Sequence, residues 1–213
     1  MNSAAANIRG WALAVAVALV LNADSHAKQF PPVAPLQVGI PSATFNFVAS
    51  AQQTPVWCWA AAAQMILNYY GIPVTQPQIV TRIFGGPVVT TASDQVISAA
   101  LNGWGFNMQG RAVTISSAFV PGAPAPTVLI NELSQGHPIL LAFQSGPYSG
   151  HAVVITAATY FPTPQGPQVA SMVVRDPFPT PQNVQNLGRV EIGGPALGNF
   201  IQTVRAHWLV RVQ

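Results

Sequence analysis

The chain has 213 residues, half of them apolar, and a formal charge of +3, which gives room for one domain with a sizeable core. Only 6% of residues are charged, against roughly 25% in ordinary soluble domains, and the small basic excess forms no Lys/Arg cluster, so a nucleic-acid partner is not expected. Cys58 is the single cysteine, so no intramolecular disulfide can form; with no Cys-x2-Cys, no His-Glu-x2-His and no Gly-rich phosphate loop, neither a metal nor another cofactor is expected.

Residues 1–27 read as a signal peptide. Met1 to Arg9 carries the amine and one positive side chain, and Trp11 to Leu21 is an uncharged run of 11 residues. That run is shorter than the ~20 residues needed to span a bilayer. Ser25-His26-Ala27 offers small residues at the −3 and −1 positions, so cleavage after Ala27 leaves Lys28 as the N-terminus. The mature protein is then exported, periplasmic or secreted, with no stable membrane anchor. No cysteine follows the apolar run, which argues against a lipid anchor. The oligomeric state is not legible.

Residues 28–43 form a Pro-rich stretch that reads as an irregular arm, and 44–213 as the folded domain. Thr44 to Ala49 alternates weakly, as a short strand would. Thr54 to Tyr70 is the clearest helix: Thr54 as cap, Pro55 at the first position and Gly71 as terminator. It is apolar on most faces, interrupted by Gln64 and Asn68, so it belongs in the domain centre. Thr75-Gln-Pro-Gln78 resembles a capping box before Ile79 to Phe84. Ser93 caps a helix over Asp94 to Asn102, and another covers Thr127 to Gln135 with Gly136 as its end. Ser145 to Gly150 reads as a flexible loop. Strands are expected at Pro138 to Phe143, His151 to Tyr160, Val169 to Arg175 and Val204 to Val212, while Gly85-Gly86 and Gly193-Gly194 read as turns. Helices precede strands, which predicts an α+β fold.

Chemistry gathers around Cys58. An exported lone thiol is exposed to oxidation unless it is buried and inert or has a function. Here it sits in the opening turn of a buried helix, where free N–H groups and the helix dipole favour a negative sulfur. His151, in Ser149-Gly150-His151-Ala152-Val153, opens a strand, with Gly150 removing bulk before it. If His151 to Tyr160 and Val169 to Arg175 pair as a hairpin, Asp176 comes beside His151, although they are 25 residues apart. A carboxylate there can orient the imidazole; otherwise Asp176-Pro177 is simply a turn. Gln52, six residues before Cys58, offers a side-chain amide to a developing oxyanion, and Gln53 is an alternative. His137 and His207 read as structural.

Gln52-Gln-Thr-Pro-Val-Trp-Cys58-Trp-Ala-Ala, Gly150-His151-Ala-Val-Val-Ile and Arg175-Asp176-Pro177 resemble papain-like cysteine peptidases. The likeness is closest to the bacterial effector type that includes the avirulence cysteine proteases of plant pathogens, with bacteriocin-leader peptidases as more distant relatives. It covers roughly Ser50 to Pro177. The resemblance implies a central nucleophile helix packed on an antiparallel sheet. It also implies Cys58 as nucleophile, His151 as general base and acid, Asp176 as its orienting residue (where papain has Asn), and Gln52 as oxyanion donor. Trp57 and Trp59 match the aromatic flank of the nucleophile and, with Gly150, are expected to line the substrate cleft. The substrate would be a protein or peptide. The separation of Cys58 from His151, 93 residues, is shorter than the ~130–150 of the papain/cathepsin signature, which implies a compact version. Acyl transfer or deamidation on the same triad, and a non-catalytic binding module on the same fold, are the competing functions.

Overall fold

The computed structural model describes residues 34–106, 109–147 and 149–213, which belong to one compact unit spanning 33–213. The signal peptide expected at 1–27 and the first part of the arm lie outside the described residues. The elements in chain order are β1 (Leu36–Gly39), α1 (Ser42–Asn46), α2 (Cys58–Tyr69), α3 (Gln76–Phe84), α4 (Asp94–Leu101), β2 (Ile115–Pro121), α5 (Pro126–Ser134), β3 (Ile139–Gly146), β4 (Ser149–Thr163), β5 (Gly166–Arg175), α6 (Pro181–Gln185), β6 (Arg189–Gly193), α7 (Pro195–Thr203) and β7 (Val204–Val212). No helix among the described residues is long and apolar enough to cross a membrane.

One antiparallel sheet organises the chain, in the order β2-β7-β3-β4-β5-β6, with β1 also paired to β4. Its central strands are buried on both faces, which is why they read as continuous apolar runs. Leu140, Ala142, Ala152, Val154, Ala206 and Trp208 join the cluster built on α2, α3 and α4. Ile139, Leu141, Val153, Ile155, Met172 and Val174 face the other way, onto Leu129 and Leu133 of α5 and Leu197 of α7. Alternation with period two assigns neighbouring residues to opposite cores.

α2 is central, as its composition requires: Trp59 to Ala63 and Met65 to Leu67 are buried. Its two polar interruptions are both satisfied, Gln64 accepting from the Ser50 hydroxyl and Asn68 from the Val74 N–H at 2.9 Å. Its start differs from the sequence expectation. The helix begins at Cys58, not near Thr54, and the Trp57 side chain makes no capping hydrogen bond to the helix N–H groups. Residues 53–56 make a turn, because the Gln52 side chain takes the Thr54 carbonyl (2.9 Å) and the Trp57 N–H bonds back to the same oxygen. Two further expectations are corrected. Thr44 to Ala49 is no strand: Ser42–Asn46 is a short helix that buries Phe45. The arm is not wholly irregular: Leu36–Gly39 pairs with Tyr160 to Ala157 of β4. That pairing needs glycine at 39, where φ is +133° and a Cβ would stand 2.4 Å from the Thr156 carbonyl oxygen.

The capping box at Thr75 and Gln78 is present, and the Ser93 hydroxyl caps α4 through the Val96 N–H. The β4–β5 hairpin is longer than expected, pairing out to Thr163 and Gly166. Ser145 to Gly150 is not a free loop; β3 and β4 run into it and close as a hairpin.

Candidate active site

The first turn of α2, the start of β4 and the end of β5 meet at one cleft of about 850 Å³. Cys58 is the first residue of α2, where helix N–H groups lack intrahelical partners and the dipole is positive. The hairpin expected from sequence forms: Val154 pairs with Arg175, so His151 and Asp176 stand together past the end of the ladder. The His151 Nε2 lies 2.6 Å from Asp176 Oδ1. Cys58, His151 and Asp176 all line the cleft.

The electrostatics bind these three groups together. Burial alone would lower the His151 pKa, but hydrogen bonds to Asp176 and Cys58, with the negative charge of both, push it up to about 9. At neutral pH the imidazole is therefore protonated and Nε2–H donates to the carboxylate. Burial would raise the Asp176 pKa. Hydrogen bonding from His151 and from the Phe178 N–H, at 2.8 Å, outweighs it, so the carboxyl stays ionised below its ordinary range. With Nε2 committed to Asp176, Nδ1 remains for Cys58. Two rings steady the imidazole edge-on, Phe143 at 5.6 Å and Phe178 at 6.2 Å between centroids.

The other expected residues fall in different places. Trp59 and Gly150 line the cleft. Trp57 does not: it is buried in the core, and its indole N–H donates to the Val88 carbonyl at 3.0 Å. Trp57 precedes the helix and its indole turns under residues 88–90, whereas Trp59, in the first turn, also reaches the cleft. Gln52 is buried near the cleft without lining it. Its Nε2 donates one proton to the Thr54 carbonyl at 2.9 Å, while its Oε1 is buried without a partner. One amide proton remains uncommitted. Gln53 turns its main-chain N–H to Gln76. His137 pairs with buried Glu132 at 3.3 Å, and His207 is buried with Nδ1 at 2.8 Å from the Gly122 carbonyl, both away from the cleft.

Three supporting residues escaped the sequence reading. Gln76, fully buried, accepts from Gln53 N–H and donates to the Ala51 carbonyl, both at 2.9 Å, and so brackets Gln52. Gly188 accepts from the Asp176 N–H at 2.7 Å, and its φ is +71°. Asn183 adds a side-chain hydrogen bond that favours the Asp176 carboxylate.

A buried helix carrying a cysteine at its tip, against a sheet carrying a histidine and an aspartate, is the architecture of a papain-like cysteine peptidase. Residues 44–189, well over half the chain, match the Peptidase_C39 like family, and the chain belongs to that family. Among solved structures, it is similar to the peptidase domain of Streptococcus ComA, a bi-functional ABC transporter involved in a quorum sensing pathway. That likeness covers 76% of this chain and 95% of that one, with a TM-score of 0.51 and 11% identity; at such identity it speaks for the fold. No curated protein matches the chain. Family and fold together make this a cysteine peptidase by class.

Proposed function

We propose that this chain is an exported bacterial cysteine peptidase that hydrolyses peptide bonds with Cys58, His151 and Asp176 through a thioester acyl-enzyme. The observation that carries the reading is the His151 imidazole, bonded to Asp176 at 2.6 Å on one nitrogen and facing Cys58 with the other. The sulfur at the α2 tip attacks the substrate carbonyl carbon, and the carbonyl electrons move to oxygen. The oxyanion is met by the Cys58 N–H and, once its side chain turns into the cleft, by the uncommitted amide proton of Gln52. Collapse expels the amine, which takes its proton from His151. His151 then removes a proton from water, whose oxygen attacks the thioester and releases the acid and Cys58. Asp176 holds the imidazole throughout.

Within the superfamily, the avirulence-effector type is supported by the Gln-x5-Cys-Trp-Ala-Ala run and Gly-His-Ala-Val. Export is supported by the apolar run and the small residues before Lys28, and a secreted chain beginning at Lys28 on N-terminal sequencing is the expected product. The test of the reaction is Cys58→Ala in the Lys28–Gln213 protein, compared with the unaltered protein across a mixed peptide library. Turnover should vanish while the thermal transition stays within a few degrees. Products should carry new C-termini. An isopeptide crosslink or a deamidated glutamine would instead assign the triad to acyl transfer or deamidation, and undiminished cleavage by the variant would remove Cys58 from the mechanism.

A further inference from the structure

We propose that Trp57 and Trp59 are positioning residues whose indole N–H groups fasten residues 88–91 to the nucleophile helix, and that substrate affinity depends on this fastening. The kinetic consequence rests on the peptidase reading; the structural one does not.

The segment between α3 and α4 has little to hold it. It leaves α3 through Gly85 and Gly86, and the side chains that would anchor it, Val88 and Val89, are 44% and 65% exposed. Besides the Val88 N–H bond to the Gly86 carbonyl at 2.8 Å and the packing of Ala92 on the core, it is held by a pair of hydrogen bonds from the start of α2. Trp57 Nε1 donates to the Val88 carbonyl at 3.0 Å, and Trp59 Nε1 to the Thr90 carbonyl at 3.2 Å. The two indoles are two residues apart, and so are the two carbonyls. Fixing the carbonyls of residues 88 and 90 against the helix start fixes the position of the residues that follow them directly in the chain. Thr91 and Ala92 line the cleft that holds Cys58. The segment is thus a cleft wall registered to the same helix that carries the sulfur.

The residue type fits this role. Both tryptophans are almost fully buried, at 4% and 2% exposed. A buried indole finds a partner for its N–H or is destabilising, and phenylalanine would fill the space without needing one. The indoles here spend their donors on an otherwise loosely held loop.

Trp57→Phe keeps a ring in the core and removes one donor; Trp57 itself does not line the cleft. In the variant, amide hydrogen exchange at Val89 to Ala92 should quicken about three- to tenfold, the range one net hydrogen bond commands. Exchange within α2 should stay as it is. For peptide cleavage, KM should rise by a similar factor with kcat within twofold, and the alkylation rate of Cys58 should not move. Pro87→Gly loosens the same segment without touching the indole, should reproduce the rise in KM, and decides the matter if Trp57→Phe does not fold. Unchanged loop exchange overturns the fastening. Quickened exchange with unchanged KM, or a fall in kcat alone, overturns its role in affinity. A wild-type protein that cleaves no peptide sinks the peptidase reading and the affinity claim, while exchange still judges the fastening.

Discussion

The sulfur and the imidazole are held by opposite means. Cys58 is positioned by packing: the helix behind it buries Trp59 to Ala63 and Met65 to Leu67, and no side chain caps its first turn. The imidazole is positioned by polar contacts. Asp176 takes His151 and the Phe178 N–H on its carboxylate and gives its own N–H to Gly188. A packed helix fixes a backbone address but not a proton, whereas the hydrogen-bonded strand ends fix a tautomer and a charge. Damage on the helix side should therefore appear first as lost stability, and damage on the strand side as lost activity at retained stability.

Gly188 is where the second half of that comparison should fail, and it gives the largest effect. It belongs to the polar side, yet it meets Asp176 by backbone contact. A Cβ at 188 would stand 2.5 Å from the Asp176 carbonyl oxygen, at a φ of +71°. Gly188→Ala should lower stability by about 1–3 kcal/mol, read by urea denaturation, and reduce kcat with it because Asp176 must shift. A variant with unchanged stability would show that the turn relaxes freely and that Gly188 is no support.

Asp176→Asn sharpens the comparison with a smaller effect. The amide keeps an oxygen for His151 Nε2–H but removes the negative charge. The folded His151 pKa, raised to about 9, should fall, and the high-pH limb of kcat should move to lower pH with it. The sign of the stability effect follows. A histidine raised above its ordinary 6.5 stabilises the fold fully below that value and loses the contribution as pH rises through about 9. Thermal scans from pH 6 to pH 10 should show this decline in the wild type and a weaker one in the variant. Identical profiles would mean that Asp176 does not set the imidazole's charge.

Much of this site was legible because its signals are local. The buried helix at Cys58 showed in its apolar faces. The proximity of His151 and Asp176 follows once two nearby β-branched runs pair as a hairpin, as they do. The capping box at Thr75 and the cap at Ser93 were equally local. What stayed hidden depends on distant partners or weak patterns. β2 and β6 are half-exposed outer strands without an apolar run. β1 lies in a Pro-rich stretch and forms because Gly39 lets two backbones touch. α7 follows a Gly-Gly turn that masks its start. Gln76 reaches back 23 residues to Gln53, and the indoles reach forward 31 to the loop; no periodicity reports such bonds. The resemblance places Trp57 on the cleft as part of the aromatic flank of Cys58, but it precedes the helix and turns its indole into the core, which no local pattern reports.

The central claim is that His151 activates Cys58, and the single cysteine of the chain makes it directly measurable. The rate of iodoacetamide alkylation at pH 6 should be compared between the wild type and His151→Ala, both confirmed as folded. The account predicts rapid labelling in the wild type and labelling at least about tenfold slower in the variant, because the imidazolium that favours a negative sulfur is gone. Equal rates in the two proteins would contradict it.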